Sequence, residues 1–184
     1  MPDSTDKYYA LMIFAVLGCV KGSVEAFAAR SRGKGGAESS KIVSKLFILS
    51  GILTPVFIPA EIIFFKRPLC WHFSLFFSAA FLALMYLRIL AIRALGPFYS
   101  VNVRIADGHM LVKTGVYKYF RHPLYLIGIM ESFVYPLAPG AYITAAISAA
   151  ASVPLIIFRR AEEEKALLEK FGAEYEIYKK ATWF

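Results

Sequence analysis

The chain is poor in the residues and motifs that signal disulfide scaffolds, metal centres and nucleotide-binding loops. Its 184 residues include 2 cysteines and 3 histidines, and no CxxC, HExxH or paired-histidine spacing occurs. A disulfide framework and a metal site are therefore not expected. The sequence also lacks GxGxxG, P-loop and GxSxG patterns, which excludes a Rossmann-type cofactor turn and a serine nucleophile elbow.

Acidic residues are scarce as well, whereas apolar residues dominate. Asp and Glu number 13 against 21 Lys and Arg, a net charge of +8, while 58% of the residues are hydrophobic and 16% aromatic. A soluble domain of this length has too little interior to bury so much apolar surface. The basic residues lie between apolar segments, which favours anionic lipid head groups over nucleic acid as their partners. The sequence predicts one integral membrane domain, residues 1–184.

Five apolar stretches approach the roughly 20 residues that a helix needs to cross a bilayer. Three lie in the first part of the chain, 1–95, where we expect transmembrane helices at 7–28, 42–65 and 71–95. The run from Leu124 to Phe158 is too long for one span and is interrupted by prolines and a glycine near its middle. It predicts a helical hairpin over 122–158, inside a second part, 96–184. The expected fold class is an all-α integral membrane protein of about five transmembrane helices.

The distribution of basic residues predicts the orientation of the chain. With the N-terminus outside, segments 29–41, 96–121 and 159–184 lie inside and carry 14 Lys and Arg, against 3 in the outer segments. Such an excess follows the positive-inside rule. We expect a multi-pass protein of the plasma or inner membrane in a prokaryote, or of the endoplasmic reticulum in a eukaryote, with a cytoplasmic C-terminus.

The region from 159 to 180 has the pattern of a C-terminal amphipathic helix on the cytoplasmic side. Its apolar stripe consists of residues at helical spacing, Leu167, Leu168, Phe171, Tyr175 and Tyr178. Extended backwards by three and four residues, the stripe meets two acids and two arginines, Glu164, Glu163, Arg160 and Arg159. Charges on a packed face are costly unless they are paired or used. The pattern predicts either i,i+4 ion pairs at the membrane exit or a functional site.

Two further groups of polar residues lie at the predicted hairpin. Arg121-His122-Pro123 marks its entrance, where proline suits a first helical turn. The arginine and histidine there are either interfacial residues or part of a site. Glu131 falls inside an apolar helix, where a carboxylate is either functional or paired with a cation. Its candidate partners are Lys21, Lys45 and Arg88.

Two longer motifs carry a resemblance to a known family. The first, of form HxLVxxGxYxxxRHPxY, runs from His109 to Tyr125. The second, of form RxxxEExxLxxxFGxEYxxY, runs from Arg159 to Tyr178. At this separation the pair resembles the isoprenylcysteine carboxyl methyltransferase family, over residues 105–178 with the hairpin included. After Tyr178 the chain departs from the basic, proline-containing tail that is usual in that family.

The resemblance implies a membrane-embedded methyltransferase that uses S-adenosylmethionine as methyl donor and binds it on the cytoplasmic side. By motif position, the donor-binding residues would be His109, Leu111, Val112, Gly115, Tyr117, His122, Pro123, Tyr125 and Glu164. Glu163 and Glu164 would close the donor pocket, and Arg121 and Arg159 would lie beside the methyl acceptor. These last four are the implied catalytic residues.

The implied acceptor is lipophilic and enters from the bilayer, with an isoprenylcysteine-type carboxylate favoured. The wider family also methylates thiols, phospholipid amines and other lipophilic acceptors. Two other classes stay open. One is a membrane reductase, because sterol reductases share a similar C-terminal helical arrangement; the other is a non-catalytic lipid-binding or transport protein of the same fold. Anionic lipid head groups are expected partners, and nucleic acid and metal are not.

Overall fold

The chain folds as a bundle of helices in the computed structural model, which describes residues 4–31, 41–65, 68–99 and 110–184. In these ranges the helices are α1 Ser4–Arg30, α2 Lys41–Phe65, α3 Trp71–Leu95, α4 Pro123–Leu137, α5 Tyr142–Phe171 and α6 Ala173–Ala181. Short 3-10 turns lie at Gly96–Phe98 and at Gly115–Lys118, and we call the second the 115–118 turn. The same ranges hold no β-strand, so the all-α prediction is confirmed.

Three of the described helices are long and apolar enough to cross a membrane. They are Thr5–Arg30, Trp71–Phe98 and Tyr142–Phe171, and two shorter apolar helices, Leu49–Phe65 and Pro123–Leu137, accompany them. At 1.5 Å per residue, the 15 residues of α4 reach about 22 Å, short of the roughly 30 Å of a hydrocarbon core. The chain is thus a membrane protein with three candidate spans. Five spans and the orientation of the termini stay predictions.

The outer surface of the bundle is apolar, as a lipid environment requires. Phe64 is 82% exposed and Leu75 is 72% exposed. Water would solvate such side chains poorly, whereas lipid tails solvate them well. The interior joins the helices through packed rings, of which Phe81 and Tyr135 are almost fully buried with centroids 5.2 Å apart.

Helices α3 and α4 run antiparallel. As the residue number increases along α3, the number of its partner at α4 decreases: Ser74 contacts Ala138, Phe81 contacts Tyr135, and Arg88 contacts Glu131. The end of α3 and the start of α4 therefore lie at the same end of the bundle. We call this end the site end.

Helices α4 and α5 form a hairpin, and α2 holds its far end. The connecting turn contains Gly140 at a φ of 86°, a conformation that residues with a side chain rarely adopt. The carboxylate of Glu61 in α2 accepts hydrogen bonds from the backbone N–H groups of Ile143 (2.9 Å) and Thr144 (2.6 Å). An anion at this position satisfies two N–H groups of the first turn of α5 and suits its positive dipole end.

Helix α5 continues without a break from its apolar stretch into its charged one. The sequence predicted a separate amphipathic helix over 159–180, whereas residues 159–171 continue α5 and residues 173–181 form α6. No glycine or proline interrupts 155–171, and its many alanine, leucine, glutamate and lysine residues favour helix. Gly172 ends α5 with a φ of 51°, and its N–H donates to the carbonyl of Leu168 at 2.9 Å. The predicted helix is therefore bent at Gly172.

Candidate functional site

Four separate segments of the chain meet at the site end of the bundle. They are the connection from residue 110 to 122 with its 115–118 turn, the first turn of α4, the charged part of α5, and α6 with the residues that follow it. Pro123 begins α4, where its fixed φ and missing N–H suit a first helical turn. The polar side chains of these segments converge around two neighbouring glutamates of α5.

Glu164 is the centre of the larger group of charges. Its Oε2 accepts a hydrogen bond from Lys179 Nζ at 2.7 Å, and its Oε1 accepts from Arg160 Nη2 at 3.1 Å and Nε at 3.2 Å. Arg121 Nε lies 3.5 Å from Oε1 and His122 Nε2 lies 3.3 Å from it. The side chain of Glu164 is only 14% exposed. One largely buried carboxylate thus faces three cations and a histidine; we call this set the Glu164 cluster.

His122 places a buried polar atom in this cluster. The residue is 5% exposed, and its Nε2, though near Glu164, makes no hydrogen bond of normal geometry among the described residues. Its ring lies 5.6 Å from that of Tyr125, one turn into α4. A buried donor or acceptor without a partner is costly. The position therefore suits hydrogen bonding to a ligand.

Glu163 faces a second group, formed by a buried arginine and two tyrosines. The side chains of Glu163 and Arg159 lie beside the hydroxyl of Tyr125. Arg159 is 4% exposed. Burial, and then the negative charge of Glu163, raise the pKa of Tyr117 well above its usual range. The phenol of Tyr117 is consequently a neutral group that can donate or accept a hydrogen bond.

Arg121 links the connection to α6. Its Nη1 donates to the backbone carbonyls of Lys179 (2.6 Å) and Thr182 (2.7 Å). These carbonyls lie at the end of α6, where helical partners are lacking and a cation is favourable. The backbone repeats the link, because Arg121 N–H donates to the carbonyl of Trp183 at 3.0 Å and Trp183 N–H donates to that of Tyr119 at 2.8 Å.

An apolar layer, formed by the connection, α5 and α6, packs next to the polar groups. It consists of Leu111, Leu167, Phe171, Tyr175 and Tyr178. The hydroxyl of Tyr178 donates to the carbonyl of Tyr117 at 2.6 Å, and burial raises the pKa of Tyr178 to about 12. Burial also raises the pKa of Tyr175, whose hydroxyl has no hydrogen-bond partner among the described residues. Tyr178 thus fixes the 115–118 turn, and Tyr175 offers a second unused polar atom.

The structure brings together most of the residues that the motifs predicted. Tyr117, Arg121, His122, Tyr125, Arg159, Glu163 and Glu164 lie in the two charged groups, and Leu111 lies in the apolar layer. Val112 is half-buried, and Gly115 adopts a φ of 60° in the turn. His109 lies outside the described residues. In the described part of the chain no group of three or more His, Cys, Asp and Glu residues is placed to hold a metal.

Sequence reasoning missed two members of the site, Lys179 and Phe184, and named a third, Arg160, as a possible ion-pair partner. The predicted i,i+4 ion pair between Arg160 and Glu164 is present, with Arg160 Nη2 3.1 Å from the Glu164 carboxylate. Lys179 lies on α6, beyond the bend at Gly172, and no periodicity connects it to Glu164. Phe184, whose ring lies 4.3 Å from the Arg160 guanidinium carbon, likewise has no sequence signal.

Comparison with known proteins agrees with the motifs that form the site. Residues 75–169, which run from α3 through the charged part of α5, match the isoprenylcysteine carboxyl methyltransferase (ICMT) family. The chain belongs to this family. The match includes the connection, all of α4 and both central glutamates.

Two relatives extend the comparison. The chain is 32% identical to the uncharacterized protein YpbQ of Bacillus subtilis, over 56% of this chain and 61% of that protein. It is 35% identical to the protein-S-isoprenylcysteine O-methyltransferase of Saccharomyces cerevisiae, over 51% of this chain and 40% of that protein. These alignments thus span less than two thirds of either relative.

Proposed function

We propose that the protein is an S-adenosylmethionine-dependent methyltransferase that acts on a lipophilic acceptor, with O-methylation of an isoprenylcysteine-type carboxylate favoured. The observation that carries the proposal is the Glu164 cluster, in which the two family motifs meet: His122 of the first motif lies 3.3 Å from Glu164 of the second. Family membership and the name of the yeast relative support the same chemistry.

The residues present fit a donor of this kind. S-adenosylmethionine carries an ammonium and a carboxylate, together with ribose hydroxyls and a base rich in hydrogen-bonding atoms. Glu163 would bind the ammonium, while Arg160 and Lys179, held by Glu164, supply positive charge for the carboxylate. The Tyr175 hydroxyl, which has no hydrogen-bond partner among the described residues, and His122 Nε2, 3.3 Å from Glu164, would bind the neutral polar groups.

The chemistry requires placement rather than a strong base. S-adenosylmethionine, when bound, supplies a methyl group whose bond to the positive sulfur breaks with the electron pair going to sulfur. A carboxylate acceptor is already ionised at neutral pH. The protein must therefore align the acceptor and exclude water from it. Arg159, which is 4% exposed, would hold the acceptor carboxylate through two parallel hydrogen bonds.

Arg121 has a different role in this proposal from the one that the motif implied. Two carbonyls of the α6 end occupy its Nη1, and its Nε is directed towards Glu164. These contacts favour a residue that holds α6 against the connection. We therefore assign acceptor binding to Arg159 and the placement of α6 to Arg121.

A groove between α2 and α5 offers a place for the apolar part of the acceptor. Its volume is about 690 Å³, and its walls are almost entirely apolar, from Phe64 and Ile143 at one end to Leu46 and Leu155 at the other. Leu155 lies one helical turn before Arg159 on the same helix. A lipophilic chain in the groove would therefore direct its head group towards the charged part of α5.

Calorimetric binding of S-adenosylhomocysteine to the detergent-solubilised protein tests the donor site. We expect saturable binding, and loss of that binding in Glu164→Ala, because three cations would lose their common partner. Glu169→Ala is the matched control, since Glu169 is an exposed glutamate on the same helix. Absence of binding to folded wild-type protein would contradict the proposal and favour a non-catalytic lipid-binding protein.

Transfer of a labelled methyl group tests the acceptor. With N-acetyl-farnesylcysteine we expect a base-labile methyl ester. Transfer of the label only to thiols or phospholipid amines would support a methyltransferase but would contradict the isoprenylcysteine-type acceptor. Transfer to every acceptor at the same low rate would contradict a specific acceptor site.

A further inference from the structure

A second group of charges lies away from the site, among the apolar helices α1, α3 and α4. Glu131 binds both Lys21 and Arg88, and Arg88 Nη1 lies 2.7 Å from the Glu131 carboxylate. Arg88 also binds Glu25, with Nη2 2.7 Å from its carboxylate. The side chain of Glu131 is 6% exposed and that of Arg88 is 18% exposed. We call these four side chains the Glu131 network.

Geometry makes the Glu131 network a strong constraint on how the helices slide past one another. Two cations and two carboxylates leave no net charge, so each group depends on its partners. Buried ions that lose a partner are strongly unfavourable in an apolar environment. Because a shift of one residue moves a helix by about 1.5 Å, a change of register would break the 2.7 Å contacts. The network therefore selects one register of α3 against α4.

That register determines the geometry of the site end. Ala94 lies six residues beyond Arg88 on α3, and Tyr125 lies six residues before Glu131 on α4. Because the two helices are antiparallel, Ala94 and Tyr125 both lie towards the site end. Each is about 9 Å along its helix from the residue of the Glu131 network. The 115–118 turn rests on Ala94, because a Cβ added at Gly115 would lie 3.5 Å from the Ala94 Cβ. Tyr125 lies beside Glu163 and Arg159.

We propose that Glu131, together with Arg88 and Lys21, is a positioning group for the candidate site. It sets the register of α3 against α4 and thereby the placement of the 115–118 turn relative to the first turn of α4. Lys21 lies outside the family-matched residues 75–169, so the network ties the unmatched α1 to the matched helices. The role of the network in setting the register of α3 against α4 rests on the ion pairs alone. Its role in positioning a donor-binding site rests in addition on the proposed function.

Donor affinity is the first test. Glu131→Gln leaves Lys21 and Arg88 with one carboxylate between them, and we expect S-adenosylhomocysteine to bind about tenfold more weakly to the folded variant. Lys21→Met combined with Glu131→Gln restores charge balance, because Arg88 keeps Glu25, but it leaves α4 without an ion pair to α3, so the affinity should stay about tenfold below that of wild type. A purely structural network would lower the melting temperature of Glu131→Gln and leave the dissociation constant unchanged, which would overturn the proposal.

Glu61→Gln is the matched control. Glu61 is another carboxylate buried among the helices, but it holds the start of α5 at the end away from the site. We expect lower thermal stability and a dissociation constant within about twofold of wild type. An equal loss of affinity in Glu61→Gln and Glu131→Gln would mean that general destabilisation is responsible, and would also overturn the proposal.

A disulfide reports the register without any ligand. The 3.5 Å separation between the Ala94 Cβ and a Cβ at position 115 suits a disulfide. Residue 115 has a φ of 60°, a conformation that strains a residue with a side chain. In a background with Cys19→Ser and Cys70→Ser, A94C combined with G115C should therefore cross-link slowly on mild oxidation, and the rates are compared among variants that all carry this pair. Adding Glu131→Gln should lower the rate of cross-linking, and adding Glu61→Gln should not.

The two measurements separate the inference from the proposed function. Cross-linking that depends on Glu131, in a protein that does not bind S-adenosylhomocysteine, would remove the methyltransferase proposal and keep the register role. Cross-linking that is insensitive to Glu131→Gln would remove the register role whatever the donor affinity.

Discussion

The molecule contains two carboxylate-centred charge groups of different character. In the Glu131 network two cations meet two carboxylates, and the group lies among apolar helices. In the Glu164 cluster one carboxylate meets three cations and a histidine, and Lys179 is half exposed. The first group is electrically neutral, whereas the second has an excess of positive charge. Both contain buried polar atoms without a hydrogen-bond partner among the described residues, Arg88 Nε in the first and Arg121 Nε and His122 Nε2 in the second. A neutral group of paired charges stabilises a fold, whereas a group with an excess of positive charge is suited to a ligand that carries negative charge.

Replacing Arg159 should have the largest effect on turnover. In Arg159→Ala we expect methyl transfer to fall by about 100-fold or more, because the acceptor loses its alignment. Donor affinity should stay within about threefold of wild type, and Arg159→Lys should recover only part of the rate because it lacks the planar pair of donors. Steady-state kinetics beside calorimetry measures both quantities. Lys165→Ala, an exposed basic position of α5, is the control.

The two central glutamates should differ in their effect on stability. Glu131→Gln is expected to lower the free energy of unfolding by about 3 kcal/mol, since it removes one partner of a buried ion network. Glu164→Gln should lower it by less, about 1–2 kcal/mol, because two of its cations, Arg160 and Lys179, are 26% and 50% exposed and can be solvated by water. Unfolding of both variants in the same detergent provides the comparison. Equal losses would remove the distinction between a neutral group and one with an excess of positive charge.

Two neighbouring tyrosines allow a matched test of the apolar layer. Tyr178→Phe removes the hydrogen bond to the Tyr117 carbonyl and should cost about 1–2 kcal/mol in unfolding free energy, since a buried acceptor loses its partner. Tyr175→Phe removes a hydroxyl without a described partner and should cost less than about 0.5 kcal/mol. Thermal unfolding of both variants gives the answer. The reverse order would mean that Tyr175, not Tyr178, fixes the turn.

The smallest effect is expected at the exposed edge of the Glu164 cluster. Lys179→Met should weaken S-adenosylhomocysteine binding by about threefold at low ionic strength, because the side chain of Lys179 is 50% exposed and its ion pair is weak. The difference should vanish near 0.5 M salt, at which the Debye length is about 4 Å. A defect in Lys179→Met that persists at high salt would show that Lys179 acts through a direct, desolvated contact.

Local periodicity predicted the arrangement on a single helix well. A repeat of 3.6 residues put Arg159, Glu163 and Glu164 on the face that continues the apolar stripe, and the structure gathers these residues with the first motif. Glu131 had three candidate partners in the sequence, and the fold pairs it with two of them, Lys21 and Arg88. Apolar length likewise located α1, α2 and α3 with bounds within a few residues of those observed, whereas α5 ends at Phe171, well beyond the predicted end of the hairpin at 158.

What the sequence did not predict depends on angles between elements. Lys179 reaches Glu164 because Gly172 bends the chain at a φ of 51°, and no residue pattern encodes the direction of α6 after that bend. Arg121 was expected beside the acceptor, but its contacts with the α6 end depend on the same bend. The continuity of α5 was missed because a change from apolar to charged residues resembles a boundary, although the backbone needs none.

The length of α5 sets the distance between the apolar groove and Arg159 in the proposed enzyme. At 1.5 Å per residue, the 30 residues of this helix extend about 45 Å. One part of the helix lines the apolar groove and the next, beyond Pro154, carries Arg159, so the tail and the reactive head of a bound acceptor would contact the same helix. Only acceptors whose head group lies at the matching distance from the lipid-soluble tail would reach the donor. Selection by tail length would then follow from one helix, without a residue dedicated to it.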